Sequence, residues 1–104
     1  MELLQLKYFC DAANSQNFSK TAEKFGVPPS CISQSIKRLE KELSVKLFNR
    51  SANKITLNNK GIEFYEKVSY GLGIINSAAL AVTDNGKKGN APVQTSIFDI
   101  EENN

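Results

Sequence analysis

Residues 27–43, VPPSCISQSIKRLEKEL, constrain the fold most because they carry two distinct faces at helical spacing. Their apolar members recur at intervals of four, three and four, within about 60° of one another on a helical wheel: Ile32, Ile36, Leu39 and Leu43. Such a stripe is typical of a helix that buries one side. The rest of the chain must therefore supply a core that covers it.

The opposite face of this helix is polar and basic. An ordinary solvated helix mixes acids and bases, because opposite charges at i and i+4 stabilise it slightly. Here Glu40 and Glu42 lie on the flanks, as expected of solvated acids, and no acid interrupts the polar face. The face favours a recognition helix for nucleic acid, with a plain exposed surface as the alternative. Its members are Ser30, Ser33, Gln34, Lys37 and Lys41, with Arg38 at the edge.

Charge is distributed unevenly along the chain. The net charge is only +2, but residues 1–57 hold nine Lys and Arg against five acids. Residues 58–104 hold four against six. The basic part is therefore the candidate for contact with nucleic acid.

Length and composition predict one small domain with an additional segment, since 104 residues with 40% hydrophobic content cannot form two full cores. No apolar run reaches the roughly 18–20 residues that a membrane span requires. The first residues carry Glu2 and lack a basic region followed by a cleavage site. We expect a cytoplasmic protein without a membrane partner.

Two cysteines and no histidine argue against a metal centre. Cys10 and Cys31 supply two of the four ligands that a structural zinc site needs. We expect both to be reduced helix-packing residues, with a redox switch as the less favoured reading. No metal and no cofactor are predicted.

Two shorter helices are expected before the recognition helix. In residues 2–14, helical spacing relates Leu6, Phe9, Cys10 and Ala13. After a polar break, Ser19 is placed to cap a second helix that runs to Phe25, and Gly26 ends it. Pro29 suits the first turn of the following helix. The order predicts a helix-turn-helix.

Residues 45–57 change to a pattern of two short strands around a polar turn at 51–53. This pattern predicts a β-hairpin wing. Arg50, Asn53 and Lys54 lie at or beside the turn, where they could reach a neighbouring groove or backbone.

Residues 58–83 are predicted to form one long helix, with Asn58 as its cap. Its apolar residues alternate at spacings of three and four, as in a two-helix seam: Tyr65, Val68, Leu72, Ile75, Ala79 and Val82. We expect another copy of this helix to cover the seam in a homodimer, although Gly71 and Gly73 weaken the helix. The alternative is that the seam folds back onto the chain's own core.

The last residues complete a three-part layout. Residues 84–92, DNGKKGNAP, have the composition of a linker, and residues 93–104 end in acids and asparagines. The predicted domains are a winged helix-turn-helix at 1–57, a dimerisation helix at 58–83 and a flexible tail at 84–104. The fold class is mainly α, with three helices and a hairpin before the long helix.

The residues also resemble the DNA-binding domain of LysR-type transcriptional regulators. NFSKTAEKF, ISQSIKRLEKEL, LFNR and ITLNNKG occur together at the family's spacing, and the likeness covers residues 1 to about 83. The resemblance implies a winged helix-turn-helix whose long helix pairs antiparallel with its mate. Two recognition helices then meet successive major grooves of double-stranded DNA.

The resemblance also implies roles for individual residues. Base reading and backbone contact in the recognition helix fall on Pro29, Ser30, Ser33, Gln34 and Lys37. Phosphate binding at the start of the second helix falls on Ser19, Lys20 and Thr21, and the wing contributes Arg50, Asn53 and Lys54.

Three departures from the family pattern stand out. Pro28 and Pro29 occupy the start of the recognition helix, where Ser or Thr and then Gln or Pro are common. Gln34 stands where arginine is common, so an arginine contact to guanine is replaced by an amide suited to adenine. Members usually continue into an effector-binding domain, for which residues 84–104 are too short, so we expect no small-molecule effector site in this chain.

Two functions from different classes follow. The leading expectation is a homodimeric, sequence-specific DNA-binding transcription regulator. The alternative is an interaction protein that pairs through its long helix with full-length relatives and modulates them. An enzyme is the least favoured reading, because the sequence lacks histidine, a glycine-rich phosphate loop and a nucleophile with a plausible base.

Overall fold

A computed structural model describes residues 1–52 and 54–83. Within those residues the chain forms a helix-turn-helix, a β-hairpin and a long final helix, which confirms the predicted fold class. The elements are α1 (Leu3–Ser15), α2 (Phe18–Phe25), α3 (Pro29–Leu43), β1 (Phe48–Ser51), β2 (Lys54–Leu57) and α4 (Asn59–Thr83). None of the described helices is both long enough and apolar enough to cross a membrane.

The described residues fall into two compact units. The first is Met1–Ser69, and the second starts at Tyr70. The first unit extends beyond the predicted domain boundary at residue 57, since it includes the first turns of α4. The predicted tail at 84–104 lies outside the described residues.

Helix α1 is joined to α3 through a buried amide. Gln5 is 8% exposed, and its Nε2 donates to the backbone oxygen of Ser35 at 3.1 Å. Phe9 and Ala12 are fully buried on the same side of α1. The predicted apolar face is thus partly correct, because Leu6 and Cys10 are only half-buried.

Helix α2 begins one residue before the position predicted for its cap. Asn17 precedes the helix, and its side chain accepts a hydrogen bond from the backbone nitrogen of Lys20 at 3.0 Å. The prediction of Ser19 as cap is wrong, because Phe18 is already helical and buried. Gly26 ends α2 as predicted, in the left-handed conformation that glycine adopts without strain.

The predicted stripe of α3 forms the centre of the core. Ile32, Ile36 and Leu39 are all 0% exposed, and Leu43 is half-buried. Aromatic rings extend this core toward the hairpin: the Phe48 ring meets Phe9 edge to face at 5.8 Å. Burial of the stripe fixes which face of α3 remains in solvent.

The hairpin has the predicted position and an antiparallel register. Phe48 pairs with Leu57 at its base, and Ser51 pairs with Lys54 beside the turn. Phe48 is buried, whereas the other residues of β1 are exposed. The hairpin is therefore fixed at its base, with its tip in solvent.

Helix α4 starts as predicted, and its first turns pack closely within the first unit. The Asn58 side chain accepts from the Gly61 nitrogen at 2.8 Å, which caps the helix. Gly61 is buried, and a Cβ there would collide with the backbone oxygen of Leu47. Tyr65 packs against the core, and its hydroxyl donates to Asn14 Oδ1 at 3.0 Å.

The remaining residues predicted for the seam differ in exposure. Val68 and Leu72 are half-buried, and Ala79 is exposed. Ile75 and Val82 are 51% and 70% exposed. The last three seam residues are therefore exposed apolar side chains at regular helical spacing, which the described residues of this chain do not cover.

Candidate nucleic-acid interface

The exposed face of α3 is the first part of the candidate interface. Its polar and basic side chains lie opposite the buried stripe, as the wheel predicts. Exposed members are Pro29, Ser30, Gln34, Lys37, Arg38 and Lys41, and Ser33 is half-buried. Pro28 precedes the helix and makes no side-chain cap, as expected for a residue without a polar side chain.

The face of α3 continues into a cleft beside the hairpin, which we name the wing cleft. It has a volume of about 320 Å³. Its lining is Phe18, Ser33, Lys37, Arg50, Ala52, Lys54 and Ile55. Three side chains predicted from different parts of the sequence, Lys37, Arg50 and Lys54, thus converge here with positive charge.

Arg50 has partners inside the protein. Its Nη1 lies 3.3 Å from Glu40 Oε1, and its guanidinium lies 5.8 Å from the centre of the Phe18 ring. The Arg50 side chain is 29% exposed. Its position at the cleft agrees with the sequence expectation, but its guanidinium is already engaged by a carboxylate.

Glu40 is the largest difference from the sequence expectation. It was expected on a solvated flank of α3, yet it is 3% exposed. Its Oε2 accepts from the backbone nitrogens of Leu47 at 2.7 Å and Phe48 at 3.2 Å. The burial is explained by these donors, because a buried carboxylate must be paired and hydrogen-bonded.

The start of α2 provides two exposed side chains and one buried one. Ser19 and Lys20 are exposed, in agreement with a phosphate-binding role. Thr21 is 0% exposed, and its hydroxyl donates to Asp11 Oδ2 at 2.8 Å. This placement corrects the expectation for Thr21, since its hydroxyl faces the protein interior rather than a phosphate.

Asp11 connects α1 to α2. Its Oδ1 lies 2.9 Å from Lys24 Nζ. Partial burial opposes ionisation of Asp11, but the hydrogen bonds from Lys24 and Thr21 and the charge of Lys24 give a net lowering of its pKa. The carboxylate therefore stays ionised and holds α2 against α1 through two side-chain contacts.

The predicted contact Arg38 does not line the wing cleft. Arg38 lines a different cleft of about 600 Å³, beside the start of α1. Asn53 lies outside the described residues.

The two thiols are unpaired and half-buried. Burial raises the pKa of Cys10 to about 11, which keeps it protonated near neutrality. Neither cysteine contributes to the wing cleft.

Sequence reasoning missed two residues that shape the interface. Phe18 forms part of the cleft and carries the Arg50 guanidinium on its ring. Its position directly after a capping Asn was a signal that it begins a helix. Glu40 had no local signal, because its backbone donors lie beyond the end of α3.

Comparison with known families assigns this architecture. The family described as "Bacterial regulatory helix-turn-helix protein, lysR family" matches residues 3–62. The chain belongs to the LysR family. The match extends from α1 through the start of α4, so it includes both elements of the wing cleft.

Curated relatives of this LysR-family chain are described as transcriptional regulators. HTH-type transcriptional regulator ShiR of Corynebacterium glutamicum is 41% identical over 81 residues, which cover 78% of this chain and 26% of ShiR. BudR of Klebsiella aerogenes is 39% identical over 66 residues, which cover 64% of this chain and 46% of BudR. The chain therefore spans between about a quarter and about half of these relatives' lengths.

Solved structures of the LysR family share the fold. BenM DBD in a catB site 1 DNA complex superposes with a TM-score of 0.77 and 27% identity, covering 83% of this chain and 92% of that one. A CbnR DBD–DNA complex gives a TM-score of 0.75 and 29% identity, covering 84% of this chain and 100% of that one. The similarity extends over most of the described residues.

Proposed function

We propose that this chain is a transcription regulator that binds double-stranded DNA through the exposed face of α3 and the wing cleft. The recognition helix enters the major groove, and the wing meets the adjacent backbone or minor groove. Binding to chromosomal DNA would place the protein in the cytoplasm. The DNA complexes of BenM and CbnR domains support the proposal.

The convergence of Lys37 and Lys54 on one cleft is the observation that carries the proposal. These residues come from different elements, and Ser33 of α3 lines the same cleft. Ammonium groups in a concave surface attract phosphates, while Ser and Gln hydrogen-bond base edges. The remaining proposed contacts are Ser19, Lys20, Pro29, Ser30, Gln34 and Arg38, all exposed.

We further propose that the protein is a homodimer through α4. Ile75 and Val82 are exposed in the described chain and belong to the predicted seam. An apolar row of this length is stable in water when a second helix covers it. A dimer would present two recognition helices to the two halves of a partly symmetric site.

The test is fluorescence anisotropy of a labelled random-sequence duplex and of a duplex obtained by binding-site selection, titrated with protein at several salt concentrations. The proposal predicts salt-dependent binding to both, with tighter binding to the selected duplex. Lys37→Met and Lys54→Met should each make the slope of log K against log salt shallower by about 0.9 per protomer, or about 1.8 per bound dimer. Lys46→Met, an exposed lysine outside the wing cleft, is the matched control and should keep the wild-type slope.

A folded and dimeric protein that binds neither duplex would contradict the DNA-binding proposal. The experiment to follow would mix the chain with a full-length relative and measure exchange of subunits. Heterodimers more stable than homodimers would favour the interaction protein that the sequence leaves as the alternative.

A further inference from the structure

The contact between α3 and the wing is made by one carboxylate with three donors. Glu40 projects from α3 and is 3% exposed. One oxygen accepts from two consecutive backbone nitrogens at the start of β1, and the other faces Arg50. Both oxygens are therefore used to connect the recognition helix to the hairpin.

Arg50 completes this connection from the wing. It belongs to β1, where it pairs with Ile55 of β2. Its guanidinium lies over Phe18, and the Phe18 ring meets Phe48 edge to face at 5.4 Å. Arg50 is thus fixed by a charge on one side and a ring on the other.

We propose that Glu40 is a positioning residue that holds the wing against the recognition helix and retains Arg50, so that Lys37 and Lys54 supply the phosphate-neutralising charge of the wing cleft. This inference rests on the proposed DNA binding. It changes the role expected of Arg50, which becomes a structural tie between α3 and β1 rather than a contact to phosphate.

The burial of Glu40 explains why Arg50 stays in place. If Arg50 turned toward a phosphate, the Glu40 carboxylate would remain buried without a counter-charge, which is strongly unfavourable. Lys37 and Lys54 face no such competition, because no carboxylate of residues 1–52 or 54–83 lies within 4.0 Å of either ammonium group. The two lysines can therefore meet phosphates without breaking an internal ion pair.

The experiment compares the salt dependence of binding for variants of the full chain, using the random-sequence duplex. Arg50→Met should weaken binding several-fold at every salt concentration and leave the slope of log K against log salt unchanged. Lys54→Met should make that slope shallower by about 0.9 per protomer, or about 1.8 per bound dimer. A slope for Arg50→Met that is shallower by the same amount would overturn the inference.

Glu40→Gln tests the same tie from the side of the helix. The amide keeps the shape but removes the charge, so Arg50 becomes available and the slope should steepen by up to about 0.9 per protomer, or about 1.8 per bound dimer. Glu42→Gln is the matched control: it removes the same charge from α3, but Glu42 is exposed and pairs with the N-terminal amine. Equal slopes for the two glutamine variants would count against the retention of Arg50.

A second measurement, on the free protein, tests the positioning role of Glu40 in the absence of DNA. Amide hydrogen exchange at Leu47 and Phe48 should accelerate in Glu40→Gln and less in Arg50→Lys, which keeps the charge. Thermal unfolding establishes that each variant folds. Wild-type exchange rates in Glu40→Gln would overturn the positioning role, whereas failure of the wild-type protein to bind DNA would overturn the proposed function and the assignment of Lys37 and Lys54.

Discussion

Helix α3 and the final part of α4 both carry an apolar stripe at helical spacing, but only the stripe of α3 is covered within the described chain. Ile36 and Leu39 in α3 are 0% exposed, whereas Ile75 and Val82 in α4 are 51% and 70% exposed. Periodicity therefore predicts that a stripe will be buried without saying what buries it. In α3 the cover is the chain's own core, and in α4 we propose a second copy.

The largest effect is expected from removing core volume beneath α3. Ile36→Ala should lower the free energy of unfolding by about 2–5 kcal/mol, because it leaves a cavity at a fully buried site. Ile62→Ala is the control, since Ile62 is 44% exposed in the first unit. Urea denaturation measures both variants. Equal decreases in the free energy of unfolding would contradict the difference between buried and exposed side chains.

A charge introduced into the α4 stripe tests whether a second copy of the chain covers that stripe. Ile75→Lys should weaken self-association by roughly 30-fold or more if this side chain is central to the interface. Asn76→Lys places the same charge on the next residue, off the stripe, and should leave the dimer intact. Sedimentation equilibrium measures the dimer dissociation constant of each variant. Identical constants for the two variants would show that the stripe is not part of the dimer interface.

Two glycines of α4 are expected to respond to alanine substitution with opposite changes in stability. Gly61→Ala should destabilise the protein by about 1–3 kcal/mol through overpacking. Its Cβ would lie 2.7 Å from Leu57 Cδ1 and would also collide with the Leu47 carbonyl oxygen. Gly73→Ala meets nothing within 4 Å and should stabilise the helix by up to about 1 kcal/mol.

Thermal unfolding of the two alanine variants gives the measurement. Destabilisation by both substitutions would mean that the region around Gly73 is as tightly enclosed as that around Gly61. Stabilisation by both would contradict the close packing of α4 against Leu47 and Leu57.

The smallest effect concerns acid. The net lowering of the Asp11 pKa means that its contribution to stability is present above the ordinary aspartate value and is lost as pH falls through the lowered one. Asp11→Asn should therefore reduce the loss of stability as the pH falls below about 4. Glu63→Gln, which removes an exposed carboxylate outside this network, is the control.

Stability measured by urea denaturation across this pH range tests the Asp11 network. An Asp11→Asn profile parallel to the wild-type profile would contradict it. The final part of α4, residues 70–83, contains no acidic or basic side chain, so this acid effect belongs to the first unit.

The elements defined by local rules were predictable from the sequence. The stripe of α3 follows from apolar spacing, the end of α2 from Gly26, and the start of α4 from Asn58. The exposed face of α3 follows in turn, because a helix that buries Ile32 and Ile36 must present the opposite side. These features depend on residue spacing within one helix or on the residue that ends it.

The remainder depends on contacts between distant residues. Glu40 is buried because the chain returns after α3 and places two backbone nitrogens against it. Thr21 is buried because Asp11 of α1 lies beside it. Sequence alone gives the charge and polarity of these residues but not their neighbours. The helical wheel therefore left Glu40 in solvent, and the family resemblance implied a phosphate contact for Thr21.

The division of this chain into a DNA-binding surface and a separate dimerisation stripe is tested most directly by amide chemical-shift mapping. The isotope-labelled protein is titrated with a random-sequence duplex. We expect the changes in chemical shift to cluster on the exposed face of α3, the start of α2 and the wing around Lys54. Residues 70–83 should change little. Shifts concentrated at residues 70–83, with α3 and the wing unchanged, would contradict the division of this chain into a DNA-binding surface and a separate dimerisation stripe.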